Sequence, residues 1–295
     1  MARIAELVYY PVKGCRGTSV TTARVTQAGL AHDRVFMAMG ADGAFRSQRR
    51  HPMMATIEPE VLDDGRKLRL SAPGIEDFEL DVVFDGPRHP AATFTWQGKG
   101  VDQGAEAADW FSTVLGEASV LVRVPPDHDR VTNGERAGTA GFADAHAVLV
   151  TSESSLDLLS ERISAHGAEP VPMDRFRANL VVSGWPEPHT EDRVRVLRAG
   201  TAEFGYAKLC VRCAVPTIDQ ETGRKCGPEP TRTLAGYRRA PEGGVTFGMK
   251  AMVLRPGQLS LGDEVIVHSW EGTASSTEAA EPPLTATASL PAESA

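Results

Sequence analysis

Turn signals punctuate the first hundred residues of this chain at short intervals. Asp42-Gly43, Asp64-Gly65, Pro73-Gly74 and Asp85-Gly86-Pro87 separate β-rich apolar runs. That spacing is too tight for long helices and suits the short strands of a sandwich or barrel. Strands are expected over 4–12, 19–26, 34–40, 55–61, 67–71, 78–83 and 93–96. Residues 104–115 (GAEAADWFSTVL) break the pattern, because Ala107, Trp110, Phe111, Val114 and Leu115 share one face at helical spacing. A polar, glycine-rich stretch at 125–141 reads as a long loop or domain boundary. Beyond it, strands are expected at 146–151, 178–183, 193–198, 201–206, 214–218, 246–254 and 264–268. A helix should run from Ser152 to about residue 165, and a short one over 231–239. The body therefore reads as mainly β (α+β) with two or three helices and no internal repeat. After Trp270 the chain is rich in Ala, Ser, Thr, Glu and Pro, has little to bury, and is expected to be disordered.

Composition narrows the function classes. In 295 residues, 41% hydrophobic content is enough for a real core. The formal charge of −8 argues against a nucleic-acid backbone as the main partner. Four cysteines exclude a disulfide scaffold and fit a reducing compartment. The start lacks a signal-peptide core and no apolar run is of membrane-spanning length, so a soluble, cytoplasmic protein with no membrane partner is expected. The charge is uneven, however. The first fifty residues carry Lys13 and seven arginines against Glu6, Asp33 and Asp42, whereas 271–295 hold four glutamates and no basic residue. A locally basic segment in an acidic chain suggests a small anionic ligand, although the general excess of Arg over Lys accounts for part of it.

Three clusters and one helix start could carry chemistry. Cys210-Val211-Arg212-Cys213 is a C-x-x-C, open to three readings: a redox pair, half a zinc site, or one thiolate serving a softer metal beside an anion-holding arginine. The redox reading wants a helix start, but the strand-like Ala214-Val215-Pro216-Thr217-Ile218 follows. Zinc would need Cys226 with Cys15 or a histidine. Arg175-Phe176-Arg177-Ala178-Asn179 places three polar heads on one side of an extended segment, suited to phosphate; the plainer reading pairs the arginines with Asp174. Tyr10–Gly17 offers a turn's backbone N–H groups and Lys13 as a point charge. Ser152, as N-cap, could leave backbone donors for an anion, though ordinary capping is the simpler account. No nucleotide-binding glycine fingerprint, serine-hydrolase elbow or H-x-x-x-H pair occurs. Spacing alone yields a β-rich protein with an anion-and-thiol site.

Taken in order, these pieces resemble a known family. Tyr10-Pro11-Val12-Lys13, Asp33-Arg34-Val35-Phe36-Met37 and Ser47-Gln48-Arg49-Arg50-His51-Pro52 resemble the N-terminal β-barrel domain that precedes MOSC domains. Ala147–Leu158, Asp174–Asn179, Cys210–Gly223 and the stretch from Phe247-Gly248 to Gly262-Asp263-Glu264-Val265 resemble the MOSC domain itself, also a β-barrel with a few helices. The implied organisation is an N-terminal barrel-like domain over 1–122, a MOSC domain over 123–268 and an acidic tail over 269–295. The architecture is similar to that of bacterial molybdenum-cofactor N-hydroxylate reductases and the mitochondrial amidoxime-reducing component.

The resemblance implies a molybdenum cofactor, with Mo held by a pyranopterin dithiolene and one cysteine. By motif position that metal ligand and catalytic residue would be Cys213, with Arg212 favouring its thiolate. Arg212, Arg177 and Asn179 would bind the pterin and its phosphate. Lys13, Arg34 and the Gly14 backbone would approach from the N-terminal barrel, and Ser152 would add a contact. Val211 stands where relatives often have Ser, so only its backbone could contribute. Cys15, Cys210 and Cys226 would be structural or incidental. The implied activity is reduction of small N-hydroxylated compounds. Electrons would come from a separate ferredoxin or cytochrome b5-like donor and a reductase, since neither a two-iron ferredoxin domain nor a membrane anchor is present. The alternatives are sulfur transfer and cofactor carriage. MOSC domains also end molybdenum-cofactor sulfurases and carry a pyridoxal-phosphate association through that link, but this chain shows no aminotransferase-like domain.

Overall fold

The computed structural model describes residues 1–94 and 96–272. Among these the chain is mostly strand, with three α-helices. The largest sheet has eight strands, in the order Val265–Trp270, Val194–Ala199, Ala202–Arg212, Val245–Arg255, Val148–Ser152, Leu180–Ser183, Arg3–Tyr9 and Thr18–Ser19. Smaller sheets build the barrel-like first part, one joining Phe36–Met39, Val120–Arg123, Trp96–Asp102 and Arg88–Thr93, another Glu58–Leu62, Lys67–Ala72 and Ile75–Asp81. The mainly β reading therefore holds. The tail from residue 273 onward lies outside the described residues, and the last strand runs to Trp270, two residues past its expected end.

The sequence order is not the packing order. Arg3–Tyr9 pairs antiparallel with Leu180–Ser183, Ile4 opposite Val182 and Leu7 opposite Leu180. Thr22–Thr26 likewise pairs with Gly257–Ser260. Ile4, Leu7, Val25 and Leu30 thus share one core with Phe204, Met249 and Val253, while Val12, Phe36, Ile57, Leu68, Phe111 and Leu121 form the first part's own core. Residues 10–17 therefore lie where one core hands over to the other. Leu7 is 1% exposed, and Leu7→Ala should cost roughly 2–5 kcal/mol from lost burial and the cavity left behind. Urea denaturation would read this as a lower midpoint for the large sheet, although Leu7 lies so early in the chain.

Two helices form where they were expected, and the third is shorter, Thr231–Ala235 in place of 231–239. Ala105–Leu115 buries Ala107, Trp110 and Phe111, and Trp110 Nε1 donates to Glu76 O at 2.9 Å. Glu153–Ala165 starts at Ser152 and crosses between the parallel strands Val148–Ser152 and Leu180–Ser183. Three local expectations need correction. In place of one strand at 93–96 there are two, Arg88–Thr93 and Trp96–Asp102, with Thr93 paired to Trp96. Residues 214–218 hold a 3-10 turn, Val215–Thr217, because Pro216 has no N–H to give a ladder. Residues 175–179 are not extended, since Met173–Phe176 is a 3-10 turn and Arg177 follows it with φ +56°. No helix among the described residues is long and apolar enough to cross a membrane.

Candidate functional site

Where the first part meets the large sheet, a cleft of about 930 Å³ opens to solvent. Lys13, Gly14, Arg34, Arg177, Asn179, Val211, Arg212 and Cys213 all line it. Segments more than 150 residues apart in sequence thus converge on one cleft. Ser152 does not join them. It is fully buried, caps its helix through Ser155 N, and donates to Glu191 Oε2 at 2.8 Å. Its hydroxyl is committed inside the fold and does not face the cleft, contrary to the expected cofactor contact.

Cys213 owes its position to a bulge. Leu209 pairs with Met249 and Val211 with Thr246, so Phe247 and Gly248 together face Cys210. Gly248 has φ +78°, and a Cβ there would stand 2.8 Å from Val150 O and Thr151 Cγ2. The irregularity bends the strand end toward the cleft, and Cys213 follows the last strand residue as an exposed free thiol. The loop behind it is tied down from three sides. Arg175 Nη2 donates to Asp219 Oδ2 at 2.9 Å, Arg16 Nη2 donates to Gln220 O at 3.0 Å, and the amides of Gln48 and Gln220 bond reciprocally at 3.0 Å.

Arg212 serves a different cysteine from the one its sequence position suggested. Its Nη1 lies 3.0 Å from Cys210 Sγ and its Nη2 donates to Phe176 O at 2.8 Å. Residues two apart share a strand face and successive residues do not, so Arg212 stands with Cys210. The expected contact with the Cys213 thiol is not made. Its Nε is buried without a partner. Arg175 and Arg177 also diverge, the first bracing the loop and the second entering the cleft.

On the opposite wall the guanidinium carbons of Arg34 and Arg177 lie 4.3 and 4.2 Å from the Tyr10 ring centroid. Both arginines have positive φ, +49° and +56°, at a cost of about 1–2 kcal/mol each. Asp33 holds this arrangement. Its carboxylate accepts from Arg34 Nη1 at 2.8 and 2.6 Å, from Tyr10 N at 2.8 Å and from Asn179 Nδ2 at 3.0 Å. Asn179 also donates to Val8 O and accepts from Leu149 N and Arg34 Nη1. All its hydrogen-bonding capacity is used, so it positions Arg34. Lys13 donates to Phe142 O at 2.9 Å and pairs with Asp144. Burial pushes the Lys13 ammonium below its ordinary range against the pull of Asp144. Burial would raise Asp144, but Lys13 overrides it and holds the carboxyl at about 2.

The cleft also contains residues that sequence reasoning missed: Phe45, Arg46, Arg49, Phe94, Asp144, His146 and Lys250. Arg49 belongs to the Ser47–Pro52 motif and could have been found there; Lys250 and His146 had no local signal. Seven cations, Lys13, Arg34, Arg46, Arg49, Arg177, Arg212 and Lys250, face one carboxylate, Asp144, in a chain of net charge −8. Such a concentration of positive charge suits a compact anion. Among the described residues no three His, Cys, Asp or Glu side chains come together to hold a metal ion.

His146 is held neutral, since burial and then Lys208 and Lys250 push it down to about 4. The folded state therefore binds fewer protons than the unfolded chain between about pH 6.5 and 4. Stability should be full above 6.5, fall as pH drops through that window, and level below 4. The loss is on the order of 3 kcal/mol for this group. Urea midpoints from pH 7.5 to 4 check this, and His146→Gln should flatten the slope.

Sequence models of the MOSC N-terminal beta barrel domain and the MOSC domain match residues 1–118 and 137–266. The chain is 30% identical over 288 residues to mitochondrial amidoxime reducing component 2 of Rattus norvegicus, covering 89% of this chain and 82% of that protein. It is 30% identical over 283 residues to mitochondrial amidoxime-reducing component 1 of Mus musculus, covering 89% and 81%. Similarity to the molybdenum cofactor sulfurase of Oryza sativa subsp. japonica is 28% over 273 residues, covering 83% of this chain but 32% of that protein.

Proposed function

The chain belongs to the MOSC family, and from that premise we propose that it is a molybdenum-cofactor-dependent oxidoreductase that reduces small N-hydroxylated compounds. The observation that carries the proposal is the exposed Cys213 thiol at the edge of a strongly cationic cleft.

The residues present fit the cofactor. The partnerless, buried Arg212 Nε offers a donor with no protein acceptor, as expected of a group reserved for a ligand. Arg34 and Arg177 present guanidinium groups suited to a phosphate. Cys213 would ligate the metal, a thiolate being the soft donor such a centre takes. Arg212, Arg34, Arg177, Lys13 and the Gly14 and Val211 backbones would hold the pterin and phosphate. When bound, the cofactor supplies a two-electron centre for the change R–NHOH + 2e⁻ + 2H⁺ → R–NH₂ + H₂O.

The chain's own part is anchoring and electrostatics. Asp33 and Asn179 fix Arg34, the Asp219 and Gln220 contacts fix the loop behind Cys213, and Phe45 and Phe94 give the open side an apolar wall. Electrons would arrive from a separate donor protein.

Protein purified from a cofactor-competent host should carry close to one molybdenum and one pterin per chain, and reduce benzamidoxime with a chemical electron donor. Absence of molybdenum would sink the reading. Tight cofactor binding without turnover would favour a carrier, and a persulfide on Cys213 after incubation with a cysteine desulfurase would favour sulfur transfer.

A further inference from the structure

Two lysines stand side by side in the large sheet. Lys208 is the direct antiparallel partner of Lys250, and Lys250 in turn pairs with Leu149. Like charges directly opposite one another weaken a strand pair. Neither lysine has an ion pair among the described residues. Asp144 feels Lys250, but it is bonded to Lys13. A third group belongs to the same place. His146 is 5% exposed and lines the cleft, as does Lys250. Neither of its ring nitrogens makes a hydrogen bond of normal geometry, although the Asn133 backbone lies beside the ring.

Lys208, the far end of this group, stands away from the Arg34–Arg177 pair. Asn179 N donates to Leu149 O at 2.9 Å, so Asn179, Leu149, Lys250 and Lys208 form one row across the sheet. Three interstrand steps put Lys208 about 14 Å from Asn179. Lys208 itself is exposed. A single phosphate cannot reach both ends of the row.

We propose that Lys208, Lys250 and His146 form a second anion seat, which takes an oxyanion carried by the N-hydroxylated substrate. The proposal rests on the reductase reading above and names a class of substrate within it. The two ammonium groups supply charge, and the His146 ring supplies a directional donor. An oxyanion between the lysines removes the repulsion that the empty pair carries.

The test compares benzamidoxime with 4-carboxybenzamidoxime on the molybdenum-loaded protein. The carboxylated compound should show a KM about five- to tenfold lower. Lys208→Gln should raise KM for that substrate alone, leaving kcat and the neutral substrate unchanged, and Lys208→Arg should retain most of the preference. An equal change for both substrates, or no change for either, overturns the proposal. A second readout does not depend on turnover. Inorganic phosphate should raise the His146 titration midpoint, followed by NMR, in the parent protein and not in Lys208→Gln. No shift in the parent overturns the seat. Should neither amidoxime be reduced, the reductase reading fails and the phosphate titration alone decides the seat.

Discussion

Cys213→Ser protein is expected to purify folded, to contain almost no molybdenum, and to reduce N-hydroxylated substrates at least about 1000-fold more slowly than the parent, a loss of about 4 kcal/mol or more in transition-state stabilisation. The exposed thiol packs against no core, so the stability change should stay within about 0.5 kcal/mol. A serine hydroxyl is a harder donor that remains protonated near neutral pH, and cannot replace a thiolate on a soft metal. Metal content, pterin content and thermal melting together make the test. Loss of metal with an unchanged melt is the expected signature, and full metal occupancy would remove Cys213 from the centre. Cys210→Ser should behave differently, because Cys210 is 4% exposed and touches Arg212. It should disturb the position of Arg212 and lower occupancy partially.

The second large effect concerns a residue that never faces solvent. Asp33 is 4% exposed and holds Arg34, Tyr10 and Asn179 at once. Removing it leaves the Arg34 guanidinium nearly buried without its carboxylate, a situation that costs roughly 3–5 kcal/mol. Asp33→Ala should therefore lower the urea midpoint sharply and abolish cofactor retention. The Asp33→Ala/Arg34→Ala double variant should recover part of the stability, since no unpaired charge is left behind, but none of the cofactor binding. Additive losses in the double variant would show that the pair is not coupled as the geometry requires.

The split between these two residues marks how far the sequence could be read. Cys213, Lys13, Arg34, Arg177 and Arg212 were legible because each sits in a short motif, and the structure places all five on one cleft. Local pattern also located the helices, since Ala107, Trp110 and Phe111 announce their face at helical spacing. What could not be read is what depends on a partner far along the chain. Ser152 looked like an anion seat because nothing nearby reveals that Glu191 takes its hydroxyl. Arg212 appeared to serve Cys213 because sequence adjacency hides the alternation of strand faces. Lys208 and Lys250 became a pair only through register, and Val120–Arg123 escaped notice because four residues offer too little periodicity to stand out.

The pairing of Arg3–Tyr9 with Leu180–Ser183 also has a consequence in time. During synthesis Arg3–Tyr9 is made some 170 residues before its partner Leu180–Ser183 and must wait for it. At about 5–20 residues per second that interval is on the order of ten to thirty seconds. An apolar strand without its neighbour is open to wrong pairing for that whole period, and so many non-local contacts make for slow folding. Pulsed protease digestion of stalled nascent chains should find Arg3–Tyr9 cleavable until Leu180–Ser183 has been made and has emerged, and protected only after that. Arg3–Tyr9 is made long before it can take its place in the sheet.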